Sequence, residues 1–243
     1  MKLPTREELL QAGTFYGHKK EYLDPRAKEY IWTIKDRIAI IDVNKTLQSL
    51  EEALHFIQKE TSSGREILFV GTKLQARELI KKIVEETGMP GLWQRWPGGL
   101  LTNFQTVLKS LKKMKGLDEK IKDPSFEKLP RKERMIVQDQ SHRLHALLDG
   151  LKNLTQRPDI LFIVDVAEEK GAALEAQKLG LQVVGICDTN ANPQLCDYPI
   201  LANDDSFKSL EMILVLVKEA VLADQKAIKI PKEKKDVKKD KKT

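Results

Sequence analysis

The stretch PDILFIVDVAEEKGAALEAQKLG, residues 158–180, most limits what this chain can fold into. A continuous apolar run ends in Asp165, a helical pattern follows, and Gly180 closes it. Apolar residues at every position of a strand mean burial on both faces, which is the mark of a parallel sheet covered by helices. REILFVGTK, residues 65–73, followed by a helical pattern up to Gly88, repeats the design. LQVVGICDTN closes on Asp188, and YPILANDD leads into a long helical stretch from Ser206. Upstream, RIAIIDVNKTLQSLEEALHFIQK reads as another strand running into a helix, with Leu47, Leu50, Leu54 and Ile57 on one face. Strands alternating with helices predict an α/β fold: a parallel sheet with right-handed crossovers, flanked by helices.

Between about Gln105 and Gln156 the alternation stops. Val107, Leu111, Met114 and Ile121 follow a three-four spacing interrupted by Asp118. Val137, Leu144, Leu148 and Leu151 do likewise, interrupted by Ser141. Pro124 and Pro130 lie between the two runs and forbid one continuous helix. The expected arrangement is an inserted antiparallel coiled-coil hairpin over 105–156. It divides an α/β domain into 1–104 and 157–228, with an N-terminal extension over 1–37. Lys-rich residues 229–243 are expected to be a disordered tail.

Net charge narrows the function classes less than it first suggests. The 243-residue chain carries 42 Lys and Arg against 36 Asp and Glu, a net +6. Residues 232–243 hold seven Lys against three acids, so most of the excess sits in the tail. The body is close to neutral and does not by itself announce nucleic acid. No run of eighteen apolar residues is present, and MKLPTREELL lacks the apolar core of a signal peptide. Two cysteines, Cys187 and Cys196, have no metal-finger spacing. An intracellular, reducing compartment is expected.

Three groups of residues bear on chemistry. Gly71-Thr72-Lys73 follows a strand and opens a helix; it reads either as a short strand-to-helix turn or as a place where backbone N–H groups and Lys73 suit a phosphate, although the Walker spacing is absent. Asp165, Asp188, Asp204 and Asp205 all fall at strand ends, the edge where α/β folds place ligands. They read either as helix caps or, with His18, as ligands of a divalent cation. His142 and His145 are expected to face solvent. Cations interleave with Tyr22, Tyr30 and Trp32 over residues 17–37, as a phosphate-and-ring contact to RNA requires. Lys109, Lys112 and Lys113 share a helix face, which is either solvated or a second basic patch.

QRWPGGLLTNF, residues 94–104, crowds Arg95, Trp96, two glycines and Asn103 around a tight turn. It reads equally as a buried Trp beside a structural turn and as a forked cation and flat ring offered to a nucleotide.

These motifs resemble the bacterial small-subunit ribosomal protein S-two family. The residues that carry the likeness are LLQAGTFYGH at 9–18, YIWTIKDRIAIIDVNKT at 30–46, LFVGTKLQA at 68–76, GMPGLWQRWPGGLLTNFQT at 88–106, PDILFIVD at 158–165, and CDTNANP with DYPILANDD in 187–205. The resemblance implies a flavodoxin-like α/β domain with a coiled-coil hairpin and no catalysis. It implies a cytoplasmic, ribosomal protein of the translation machinery that binds small-subunit rRNA at the head–body junction on the solvent side. Partners so implied are neighbouring small-subunit proteins, including the mRNA-binding protein S-one, with no membrane and no small-molecule substrate.

The expected RNA-binding set is Lys19, Lys20, Arg26, Lys28, Tyr30, Trp32, Lys35, Lys73, Arg95, Trp96, Asn103, Lys109, Lys112 and Lys113. No cofactor is required. A zinc or magnesium ion held by His18, Asp188, Asp204 and Asp205 is the one ligand the resemblance leaves room for. Two rivals remain: a metal-assisted phosphate enzyme built on the same aspartates, and a protein-interaction module using the hairpin as a docking arm. No phosphoacceptor constellation with its Lys and Thr is identifiable for the first. The second predicts binding that does not follow ionic strength.

Overall fold

The structure, a computed structural model, describes residues 3–223. Its centre is a five-stranded parallel sheet of β4 (Ile67–Val70), β5 (Gly91–Leu92), β6 (Ile160–Val164), β7 (Gln182–Cys187) and β8 (Tyr198–Leu201). The order across the sheet is β5-β4-β6-β7-β8. In chain order this is 2-1-3-4-5, the doubly wound arrangement of flavodoxin-like folds, and it places ligands beyond the carboxyl ends of the strands.

Alternate residues of each strand feed two cores. Ile67, Phe69, Ile160, Phe162, Val184 and Ile186 face α2 (Val43–Ser62), α3 (Leu74–Thr87) and α7 (Phe207–Leu222). Leu68, Val70, Leu161, Ile163, Val183 and Cys187 face α6 (Lys170–Lys178) and the apolar side chains of 92–154. Phe69 and Phe162 are fully buried with ring centroids 5.3 Å apart. Burying a ring of this size contributes about 2–3 kcal/mol, so the strand runs are the main source of cohesion.

The strands and helices anticipated over 65–88, 158–187 and 198–222 are all present. The N-terminal part differs from expectation. Residues 38–41, read as a strand of the alternating series, instead form β3 (Ile38–Ile41), the middle of a separate antiparallel sheet with β1 (Tyr16–Lys19) and β2 (Ile31–Lys35). β2 and β3 are joined through Asp36 (φ 49°) and Arg37 (φ 67°), both left-handed. A two-residue hairpin turn of type I′ has positive φ at both positions and is usually announced by Asn-Gly or Asp-Gly. Asp-Arg carries no such signal.

Short α1 (Arg6–Ala12) precedes β1, opened by a Thr5–Glu8 capping box and closed by left-handed Gly13. α4 (Phe104–Lys122) and α5 (Arg131–Leu148) lie between β5 and β6 and pack on each other. The two residues that interrupt their apolar spacing face one another: Ser141 Oγ donates to Asp118 at 3.1 Å. His145, expected to face solvent, is half-buried. Its Nε2 lies 2.8 Å from Asp118 and its Nδ1 3.2 Å from Asp149. Carboxylates on two elements draw the ring inward, whereas His142 is exposed as expected. No described helix is long and apolar enough to cross a membrane. The Lys-rich tail lies outside the described residues.

Candidate functional site

The carboxyl edge of the parallel sheet gathers most of the chain's buried charge. β6 ends at Asp165, β7 at Asp188, and β8 runs into Asn203, Asp204 and Asp205. Asp165 takes a left-handed φ of 67°, and its side chain accepts from the Glu168 N–H at 2.9 Å, starting the turn toward α6. Lys73, at the N-terminus of α3, reaches across this edge. Its Nζ lies 2.6 Å from Asp204, 2.7 Å from Asp205 and 3.0 Å from Asp165. Burial acts to lower the Lys73 pKa, but the carboxylates around it outweigh that and raise it well above the ordinary lysine value. Asp204 is fully buried, and burial together with Asp165 and Asp188 pushes its carboxyl up to about 7, against the pull of Lys73.

This geometry corrects the phosphate reading of the Gly-Thr-Lys turn. The Lys73 charge is matched inside the protein. Thr72 is likewise taken, donating to the buried Glu169 carboxylate.

The N-terminal segment closes over the same edge. Thr189 Oγ1 accepts from the His18 N–H at 2.8 Å, and the Asp24 N–H donates to the Thr189 carbonyl at 2.9 Å. Gly17 permits this approach, because a Cβ there would lie 2.6 Å from Thr189 Cγ2. Asn203 N–H donates to the Thr14 carbonyl at 2.9 Å, and Asn203 Nδ2 to the Gly13 carbonyl at 3.1 Å. His18 Nδ1 is thereby set 3.2 Å from Asp188, and its Nε2 3.4 Å from Asp205. The Asp188 carboxylate raises the His18 pKa more than burial lowers it, with Asp204 and Asp205 adding to the rise.

Donor atoms of His18, Asp188 and Asp204 lie within 4.8 Å of one another. His18 Nδ1 and Asp204 Oδ2 are buried without a hydrogen-bond partner among the described residues. The Nδ1 is near the Asp188 oxygen but off the line of a hydrogen bond. One imidazole nitrogen and two carboxylates, with two of the donor atoms orphaned, fit a small divalent cation. Asp205, expected as a fourth ligand, falls outside this close set and is turned to Lys73 and to the other nitrogen of His18.

The loop 94–103 has an anchor that the sequence did not disclose. Glu175 of α6 accepts from Gly99 N–H at 2.7 Å, Leu101 N–H at 3.1 Å, Thr102 N–H at 3.2 Å and Trp96 Nε1 at 3.1 Å. Burial would raise the Glu175 pKa, but these donors hold it below the ordinary glutamate value. Trp96 is half-buried against the core and Gly99 is left-handed at φ 86°. The structural reading therefore accounts for Trp96 and the glycines, while Arg95 and Asn103 stay exposed.

The other expected RNA contacts divide in the same way. Lys19, Lys20, Arg26, Lys28, Trp32, Lys35, Lys109, Lys112 and Lys113 are exposed, Trp32 by 74 %. Arg26 forks onto Asp24 at 2.8 and 2.9 Å. Tyr30 is half-buried, packs on the core and lies under Lys45. Trp32 also lines an open apolar pocket with Leu10, Phe15 and Ile40, between α1 and the antiparallel sheet.

Comparison with known proteins shows the family of the chain. The family described as Ribosomal protein S2 matches residues 9–224, nearly all of the described chain. The chain belongs to the ribosomal protein S2 family. The small ribosomal subunit protein uS2 of Cytophaga hutchinsonii is 41% identical over 215 residues, covering 88% of this chain and 85% of that protein. Membership in the S2 family makes the chain a structural component of the small subunit, not an enzyme. The buried Lys73–carboxylate cluster is thus part of an S2 scaffold.

Proposed function

We propose that the chain binds small-subunit rRNA at the head–body junction of the subunit, with its α4–α5 pair acting as a protruding coiled-coil hairpin. The observation that carries the reading is the exposure, within residues 19–35, of Lys19 on β1, Lys35 and Trp32 on β2, and Lys20 and Lys28 in the turns between these strands. Exposed cations meet phosphates, and an exposed ring suits stacking or an apolar contact. Arg95 with Asn103, and Lys109, Lys112 and Lys113 on α4, extend the basic surface. Lys73 is omitted, because its charge is engaged internally, and Trp96 supports the loop that presents Arg95. The apolar pocket of Leu10, Phe15, Trp32 and Ile40 offers a surface for docking the mRNA-binding protein S-one.

A divalent cation held by His18, Asp188 and Asp204 fits this reading as a structural tie. When bound, it supplies positive charge to a carboxylate-rich edge. His18 brings the N-terminal segment to that edge, and Asp188 and Asp204 fix it to β7 and β8.

The test is binding of the purified chain to small-subunit rRNA fragments across a salt series. Affinity should fall linearly with salt on logarithmic axes, with a preference over random RNA. Lys19→Ala, Lys20→Ala and Lys35→Ala should each flatten the slope by about one contact where that lysine meets a phosphate. An unaltered slope in all three, or no preference for rRNA, refutes the assignment. Elemental analysis of the same preparation tests the cation: no metal above the level found in His18→Ala removes it from the proposal.

A further inference from the structure

Cys187 and Cys196 are nine positions apart and both are free thiols, yet their sulfurs lie 3.9 Å from each other. Two features of the fold hold them there. Asp197 N–H donates to the Val183 carbonyl at 2.9 Å, and Val183 N–H donates back to the Asp197 carboxylate at 2.8 Å. This double link fastens the backbone next to Cys196 alongside β7. Gly185 then supplies the space. A Cβ at that position would lie 2.7 Å from Cys196 Sγ and 2.5 Å from Val166. Glycine weakens the middle of a strand, and here it leaves room for a sulfur to rest on the sheet.

The two thiols differ in access. Cys187 is 1% exposed within the core, whereas Cys196 is only partly buried, behind the turn Pro193–Leu195. A disulfide requires the sulfurs at about 2 Å, so one or both thiol side chains must rotate toward each other to form it.

We propose that Cys187 and Cys196 form a reversible intramolecular disulfide when the protein meets a peroxide. The Cys196 sulfur attacks the O–O bond, becoming a sulfenic acid and releasing one water. Cys187 then attacks that sulfur, the S–O bond breaks and a second water leaves. The thiols together lose two electrons and two protons, and the peroxide is reduced to two waters. The bond joins the end of β7, next to Asp188, to the surface turn before β8. It rests on the placement of the two sulfurs and is independent of the RNA-binding reading.

The experiment treats the native full chain with hydrogen peroxide and follows thiol titration, intact mass and non-reducing electrophoresis. The expected result is joint loss of both thiols, a monomer lighter by two hydrogens, and recovery of both thiols with dithiothreitol. In Cys187→Ala, Cys196 should stop as a sulfenic acid trapped by dimedone, an adduct the wild type does not accumulate. Three results overturn the proposal: a wild type that keeps both thiols, one that accumulates the dimedone adduct or higher oxides at Cys196, or one that forms a disulfide only between chains. The wild-type readouts decide the matter even where a variant folds poorly.

Discussion

At the scale of single residues, Glu175 holds the most structure per atom. One carboxylate closes the loop from Trp96 to Thr102 through charge-assisted hydrogen bonds. Bonds to an ionised acceptor contribute about 1.5–3 kcal/mol each when lost singly, and several on one carboxylate do not add. Glu175→Gln should therefore destabilise the fold by about 1–3 kcal/mol in urea unfolding at neutral pH. The folded pKa lies below the ordinary glutamate value. Its contribution is thus complete above that value and is lost as pH falls through the folded pKa. The stability gap between wild type and variant should narrow in acid; a gap independent of pH would mean the charge is not what anchors the loop. None of this was legible in the sequence. A glutamate on a helix is usually solvated, and nothing in EAQKLG says which loop lies above it. The aspartates were more readable, because strand ends fix where they fall. Their partner Lys73 was readable as a strand-end cation, but not as one already matched from within.

At the scale of elements, α4 and α5 show how an interruption in a pattern becomes a contact. Asp118 and Ser141 break two apolar spacings because they meet each other, and the Asp118 carboxylate also meets His145. The sequence made the two helices visible and the interruptions visible, but not their alignment, which depends on the intervening turn over Pro124–Lys128. Asp118 raises the His145 pKa, against burial and helped by Asp149. His145 therefore adds stability that is full below the ordinary histidine value and is lost as pH rises through the raised one. With both side chains partly exposed, the effect is about 0.5–1 kcal/mol. The melting temperature of the wild type should fall more than that of His145→Gln as pH rises from below the ordinary histidine value into the alkaline range. Equal pH dependence in the two would show that the pair does not clamp the helices. The antiparallel N-terminal sheet was the element least legible, since its three strands are short, β2 is largely exposed, and β2 and β3 are joined by Asp-Arg rather than a glycine-bearing turn.

At the scale of the whole molecule, the central parallel strands, the helices after them and the ligand-bearing edge were legible because continuous apolar runs and terminal glycines set them locally, whereas the order of the strands across the sheet was not. What closes over that edge was not, because it depends on pairs far apart in sequence. Thr189 holds His18 across 171 positions, Asn203 holds Gly13 across 190, and Ser206 holds Ala12 across 194. That separation has a consequence in time. Residues 12–24 leave the synthesising ribosome early, yet their hydrogen-bonding partners follow only when the chain is nearly finished. The segment made first is thus among the last to be seated, after the parallel sheet it covers. Limited proteolysis should cut within 12–24 in stalled nascent chains that end before residue 189 and spare it in the released full-length chain. Equal protection in both would mean the segment is seated by its antiparallel neighbours alone. A protein of the small subunit would then carry, during its own synthesis, a late window in which its N-terminal segment is still open to other partners.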